Sequence, residues 1–109
     1  MRLPNGERAI IELSKLQDYC LSPAHPRGKN KARVFASVGI RLEDAQELRA
    51  ALELAAIDGE AVPGMPSPWG DRFVVDFGLF RAGRPVRIRS TWIVRRGEEL
   101  PRLTSCYVL

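Results

Sequence analysis

The chain has 109 residues, with 17 Lys or Arg, 13 Asp or Glu and one His, for a formal net charge of +4. That length fits a single domain over 1–109 and leaves no room for a second core, so one site must carry the function. No apolar run is long enough to span a bilayer, and Met1-Arg2-Leu3-Pro4-Asn5-Gly6 reads as loop without a signal-peptide pattern, so a cytoplasmic protein with no membrane partner is expected.

In chain order, residues 7–11 have the composition of a short strand. Ser14 is placed to cap a helix that turns Leu16, Tyr19, Cys20 and Leu21 inward and stops at Pro23. A second helix starts near Gly28 and carries Ala32, Phe35, Ala36 and Val38 on one stripe until Gly39 closes it. A third starts near Leu42 and runs through Ala45, Leu48, Leu52 and Ala55 to Gly59, with Glu43, Asp44 and Glu47 in its first turns, where the helix dipole favours acids. This is the helix expected to cover a sheet. Residues 60–70 hold Pro63, Gly64, Pro66, Pro68 and Gly70 and read as loop.

From Asp71 the period changes to two. Phe73, Val75, Phe77 and Leu79 share one face, then Val86, Ile88, Trp92 and Val94, then Leu103, Tyr107 and Leu109. The short connections near Ala82-Gly83-Arg84-Pro85 and Gly97-Glu98-Glu99-Leu100-Pro101 suit hairpins. The expected fold is α+β, with N-terminal helices packed on a C-terminal antiparallel sheet of three or four strands. Cys20 and Cys106 lie among apolar residues without metal-ligand spacing and are expected to be buried thiols, with neither zinc nor a disulfide. Phosphate-binding-loop, His-Glu-x-x-His, Cys-x-x-Cys and Gly-x-Ser-x-Gly patterns do not occur, and no cofactor is expected.

Charge is concentrated in two segments. Residues 24–33 carry Arg27, Lys29, Lys31 and Arg33 with no acid, and residues 81–102 carry seven arginines against Glu98 and Glu99. Local field draws phosphates, so the pattern favours a polyanion such as RNA, and arginine suits bidentate phosphate contacts. The bland alternatives are a solvated helix start and edge strands protected by charge. His25 stands in the first segment, the one side chain that titrates near neutrality without help. If Ile88, Trp92 and Val94 point to the helices, Arg87, Arg89, Thr91 and Arg95 point the other way. On the last strand Arg102, Thr104 and Cys106 share a face, and its register is needed to say which one. Asp76 reads as the cross-strand partner of an arginine, Trp92 as core, and Trp69 as an aromatic able to stack on a base.

Four pieces carry a resemblance that spans nearly the whole chain: Leu3-Pro4-Asn5-Gly6 with Lys15-Leu16 and Tyr19; His25-Pro26-Arg27-Gly28-Lys29 with Lys31-Ala32-Arg33-Val34-Phe35; Arg89-Ser90-Thr91-Trp92-Ile93-Val94; and Pro101-Arg102-Leu103-Thr104-Ser105-Cys106-Tyr107. Together they resemble an uncharacterised bacterial domain of unknown function, found alone and at the C-termini of polymorphic toxins. The order of helices and sheet is similar to the toxin ribonucleases of the barnase, EndoU, colicin and RelE-like group. That likeness implies a site on the open sheet face that needs no metal, with His25, Lys31, Arg89, Thr91, Arg102 and Thr104 in catalysis. Arg27, Lys29, Arg87, Arg95 and Trp69 would bind RNA. A glutamate base on the sheet, usual in barnase-like enzymes, has no counterpart on the predicted strands.

Two functions follow as expectations. One is a metal-independent endoribonuclease toxin, in which a 2′-hydroxyl attacks the adjacent phosphorus and an acidic antitoxin or immunity protein covers the site. The other is a non-catalytic module that binds RNA or an acidic protein through the same face. Convergence of His25 with Arg89 and Thr104 points to the first, and separation to the second.

Overall fold

The period-two segment forms the expected antiparallel sheet, and the residues before it add a strand. In the computed structural model, which describes residues 1–109, β1 (Ala61–Pro63), β2 (Gly70–Arg81), β3 (Arg84–Arg95) and β4 (Arg102–Val108) pair in that order, all antiparallel. The loop expected over 60–70 therefore begins later. Ala61–Pro63 pairs with Phe73–Val75, and Pro63 is tolerated because it ends an edge strand. β2 and β3 are in unbroken register from Gly70 opposite Arg95 to Arg81 opposite Arg84. Ala82 and Gly83 close this hairpin with φ of 53° and 75°, the turn that matches strand twist.

Unbroken register keeps the apolar set together. Phe73, Val75, Val86, Ile88 and Trp92 are all buried on the inner face. Ser90 is the one buried polar residue; its hydroxyl donates to the Val75 carbonyl at 2.6 Å and accepts the Trp92 indole N–H at 2.9 Å, so neither polar group is left unpaired in the core.

β4 departs from the simple alternation. Thr91 pairs with Ser105 but Trp92 pairs with Leu103, so Thr104 is an extra residue, a β-bulge. Leu103 and Cys106 both point inward as a result. Tyr107 lies opposite Arg89 on the outer face, and the expected grouping of Tyr107 with Leu103 is corrected by that one inserted residue.

The helices differ in detail from their expected starts. Helix α1 (Leu13–Lys15) begins before Ser14, whose hydroxyl caps nothing, and passes directly into a π turn over Leu16–Cys20. The wider turn brings Leu16, Cys20 and Leu21 all into the core. Residues 7–11 are not a strand. Gly6–Arg8 is a 3-10 turn in which Gly6 packs so closely that a Cβ would lie 1.9 Å from the Ala56 carbonyl oxygen, and Ile10 alone bridges to Arg102. Helix α2 (Lys29–Ser37) buries Ala32 and Phe35, and its Lys31 and Val34 border Tyr107 and Val108 of β4. Helix α3 (Ala45–Asp58) buries Leu48, Leu52 and Ala55 over β2. The helices precede the sheet in sequence and cover its inner face, which leaves the outer face for a site.

Candidate functional site

The start of α2 is shaped around His25. The His25 Nδ1 accepts the backbone N–H groups of Arg27 and Gly28, each at 3.0 Å, and the Lys29 N–H donates to the His25 carbonyl at 2.9 Å. Gly28 is required by space, since a Cβ would lie 2.1 Å from the Tyr19 carbonyl oxygen. With Nδ1 occupied as an acceptor, the neutral ring carries its proton on Nε2 and presents a donor there. The ring edge rests on Tyr19, with centroids 4.9 Å apart and planes at 85°.

Lys31, half-buried in the first turn of α2, continues this line. Its ammonium donates to the Tyr19 hydroxyl at 2.6 Å and lies 4.7 Å from the Tyr19 ring centroid and 5.9 Å from that of Tyr107. Such contacts fix a normally mobile ammonium in one place. Tyr107 in turn faces Arg89 across β3 and β4. The Arg89 guanidinium is held from its other side by Asp76, with Nε and Nη2 each 2.8 Å from a carboxylate oxygen. This is the cross-strand pair expected for Asp76. Arg89 holds the Asp76 carboxyl below the usual carboxylate range, and Asp76, followed by the nearby Tyr107 phenol, raises the Arg89 guanidinium.

Beside Arg89 the hydroxyls of Thr91 and Thr104 lie 2.6 Å apart; Thr104 also donates to the Thr91 carbonyl at 3.0 Å, and Thr91 reaches the Ser105 carbonyl at 3.3 Å. These bonds staple the bulge. The two threonines thereby hold the backbone shift that turns Tyr107 outward.

The sequence-derived residues thus divide. Arg89, Thr91 and Thr104 lie near Tyr107 on β3 and β4, Lys31 reaches the Tyr107 ring from α2, and His25 joins Lys31 through Tyr19. His25 itself hydrogen-bonds to neither Arg89 nor Thr104. Arg102 lies farther along β4, opposite Ile93, and is engaged by Glu98 at 3.2 Å and Glu12 at 3.6 Å. Arg27 and Lys29 are exposed at the start of α2; Arg87 and Arg95 are exposed on the outer face near opposite ends of β3. Trp69 is 70% exposed, and its loop is pinned to β3 by Arg96, whose backbone N–H donates to the Trp69 carbonyl and whose Nε donates to the Pro68 carbonyl.

Tyr19 and Tyr107 are the residues of the candidate site that sequence reading placed in the core. The spacing of Tyr19 from Lys31 is no helical interval, and Tyr107 has inward parity until the bulge is known. No signal short of the register reveals either.

No curated protein and no solved structure matches the chain. A family described as a domain of unknown function, DUF6883, matches residues 2–109, and the chain belongs to that family.

Proposed function

We propose that the protein is an endoribonuclease of the toxin type that cleaves RNA by attack of a 2′-hydroxyl on the adjacent phosphorus. One observation supports this above others: Lys31, reaching from α2, and Arg89, on the outer face of β3, both border Tyr107, each cation already held by a partner, Tyr19 and Asp76 respectively. Donors fixed before substrate arrives stabilise developing charge without reorganising, which is what a pentacoordinate phosphorane requires. Lys31 and Arg89 would neutralise it, and Arg27, Lys29 and Arg87 would hold flanking phosphates. Trp69 and Arg95, toward the far end of the face, would take a base and a further phosphate. The ring nitrogen of His25 left for substrate is Nε2. An acidic antitoxin or immunity protein in the cytoplasm would complement this cationic surface.

The test is chemical. Single-stranded RNA incubated with the protein in EDTA should yield a 2′,3′-cyclic phosphate, and a 2′-deoxy substitution at the cut position should block that cut. RNA that survives across a broad panel of sequences overturns the proposal.

A second reading, a module that binds RNA without cutting it, is favoured by the His25 geometry, because His25 bonds neither Arg89 nor Thr104 and its two Nδ1 hydrogen bonds give the ring a structural purpose at the start of α2. His25→Asn separates the two readings. The Asn side chain can keep an acceptor where Nδ1 was and has nothing at Nε2. Cleavage lower by about 10²-fold or more with RNA affinity kept assigns His25 to the reaction, and unchanged behaviour assigns it to scaffolding.

A further inference from the structure

β2 is longer than the strand that covers its edge. β1 pairs only with Phe73–Val75, so from Asp76 to Arg81 the sheet has β3 on one side and no strand on the other. The Arg72 carbonyl accepts the Gly64 N–H on the β1 side, and the carbonyl of Arg87, which lies opposite Gly78, accepts the Leu109 N–H on the β4 side. Backbone groups alternate in direction along a strand, so those of Gly78 and Phe80 point to the uncovered edge. Both residues are exposed, and no turn or loop bonds their backbone.

The two faces beside this edge differ in chemistry. On the inner face, Ala51, Leu54 and Ala55 of α3 line a groove with Phe77 and Leu79, and Leu54 is 63% exposed. On the outer face Gly78 offers no side chain, and that of Arg87 lies across it, with Nη1 3.3 Å from where a Cβ would stand. Arg87 has no carboxylate partner, whereas the acids along the edge and groove are engaged, Asp76 by Arg89 and Asp58 by Arg2. Unpaired backbone, an apolar floor and one free cation fit a strand whose alternate residues are apolar and acidic. A second copy paired edge to edge about Gly78 would set two Arg87 side chains against each other, which opposes self-pairing.

We propose that the β2 edge from Asp76 to Arg81 is the docking site for an extended segment of a protein partner, which adds as an antiparallel strand with apolar side chains toward Leu54 and an acidic side chain on Arg87. The residue that pairs with Gly78 exchanges backbone hydrogen bonds with it and shares its face, so the acidic residue is also the one whose N–H points at β2. Docking at the edge stands on its own. Competition with RNA at Arg87 rests on the ribonuclease reading, in which the acidic neutralising partner enters by this edge.

The experiment titrates the isotope-labelled protein with a blocked synthetic peptide of alternating valine and glutamate and follows amide hydrogen exchange. The Gly78 and Phe80 amides should slow by about tenfold or more at saturation. N-methylation of the glutamate residues should abolish that protection, and a peptide with lysine in place of glutamate should bind about tenfold or more weakly. Leu54→Asp, at an exposed position, should prevent binding with the melting temperature kept, and Arg87→Ala should erase the preference for glutamate over lysine. Gly78 and Phe80 amides that stay unprotected, protection that survives N-methylation, or equal binding of the lysine peptide overturns the docking site. So does a dimer that protects the same amides without peptide. Bound peptide should raise the KM for RNA by about threefold or more with kcat near the parent value. An unchanged KM overturns the competition alone. A protein that never cleaves RNA overturns the ribonuclease reading and leaves amide protection to judge the edge.

Discussion

Residues 24–33 and 81–102 both concentrate positive charge, but the first leaves Arg27, Lys29 and Arg33 without a carboxylate partner while the second gives one to Arg81, Arg89 and Arg102. Arg81 is bound by Asp44 and Glu47, Arg89 by Asp76, and Arg102 by Glu12 and Glu98. All of these acids but Glu98 come from outside the second segment, so its local charge overstates the field it presents. The difference separates two uses of a cation. In the first segment most are free to attract a polyanion, with Lys31 alone fixed. In the second, Arg89 is fixed for one position, Arg87 remains free beside it, and Arg95 is free at the far end of β3.

If that division holds, the largest losses come from the two fixed cations that border Tyr107. Lys31→Ala and Arg89→Ala should each cut RNA cleavage by about 10²- to 10³-fold, the scale of removing one preorganised donor. Arg87→Ala, on the same face and unpaired, should weaken binding with little effect on the rate at saturating RNA. Equal losses in kcat for Arg87→Ala and Arg89→Ala would erase the distinction between fixed and free cations.

Next in size is the effect of unfastening the bulge. Thr104→Val removes the hydroxyl that meets both Thr91 Oγ1 and the Thr91 carbonyl, at a cost of about 0.5–1.5 kcal/mol by the usual worth of such bonds. Tyr107 should then lose its fixed place opposite Arg89, so cleavage should fall although Thr104 need not touch substrate. Tyr107→Phe keeps the ring and tests the phenol separately. A Thr104→Val protein that melts lower but cleaves RNA at the parent rate would show that the bulge serves stability alone.

The same comparison shows what the sequence could reveal. Alternation along β2 and β3 was legible because Phe73 to Leu79 and Val86 to Val94 pair without interruption, and the partner of Asp76 followed from it. β4 was legible as a strand but not in its facing, since one inserted residue reverses every side chain beyond it. β1 was hidden because Pro63 and Gly64 carry a loop signature that an edge strand tolerates. The π turn was hidden because its spacing fits neither a helical nor a strand period. In the site, cations and hydroxyls could be named from charge and parity. The tyrosines that arrange them depended on those two irregularities.

The pH response gives a finer test of the paired region. Arg89 lowers the native value of the Asp76 carboxyl, so the pair's stabilisation is fully present above the unfolded carboxylate value, about 3.9, and is lost as pH falls through the depressed native value. With the Arg89 side chain 39% exposed and Asp76 28%, solvent screening keeps the contribution small. Asp76→Asn should therefore lower the melting temperature modestly at neutral pH and flatten part of its fall in acid. Asp44, depressed by the Arg41 N–H and then Arg81, and Glu60, depressed by the N-terminal ammonium, keep the remainder. A variant with the parent's full acid dependence would remove Asp76 from this account.

The smallest expected effects on stability belong to the free cations. Arg27→Ala and Lys29→Ala remove exposed side chains with no carboxylate partner, so each should change folding stability by less than about 0.5 kcal/mol. Their effect should appear in the salt dependence of RNA affinity, because each phosphate contact releases counterions. Each substitution should reduce the magnitude of the slope of log Kd against log salt by about one while kcat stays near the parent value. The double variant should reduce it by about two, since contacts to separate phosphates add. Unaltered slopes would mean that RNA does not reach the start of α2, and the two charged segments would then act as separate surfaces.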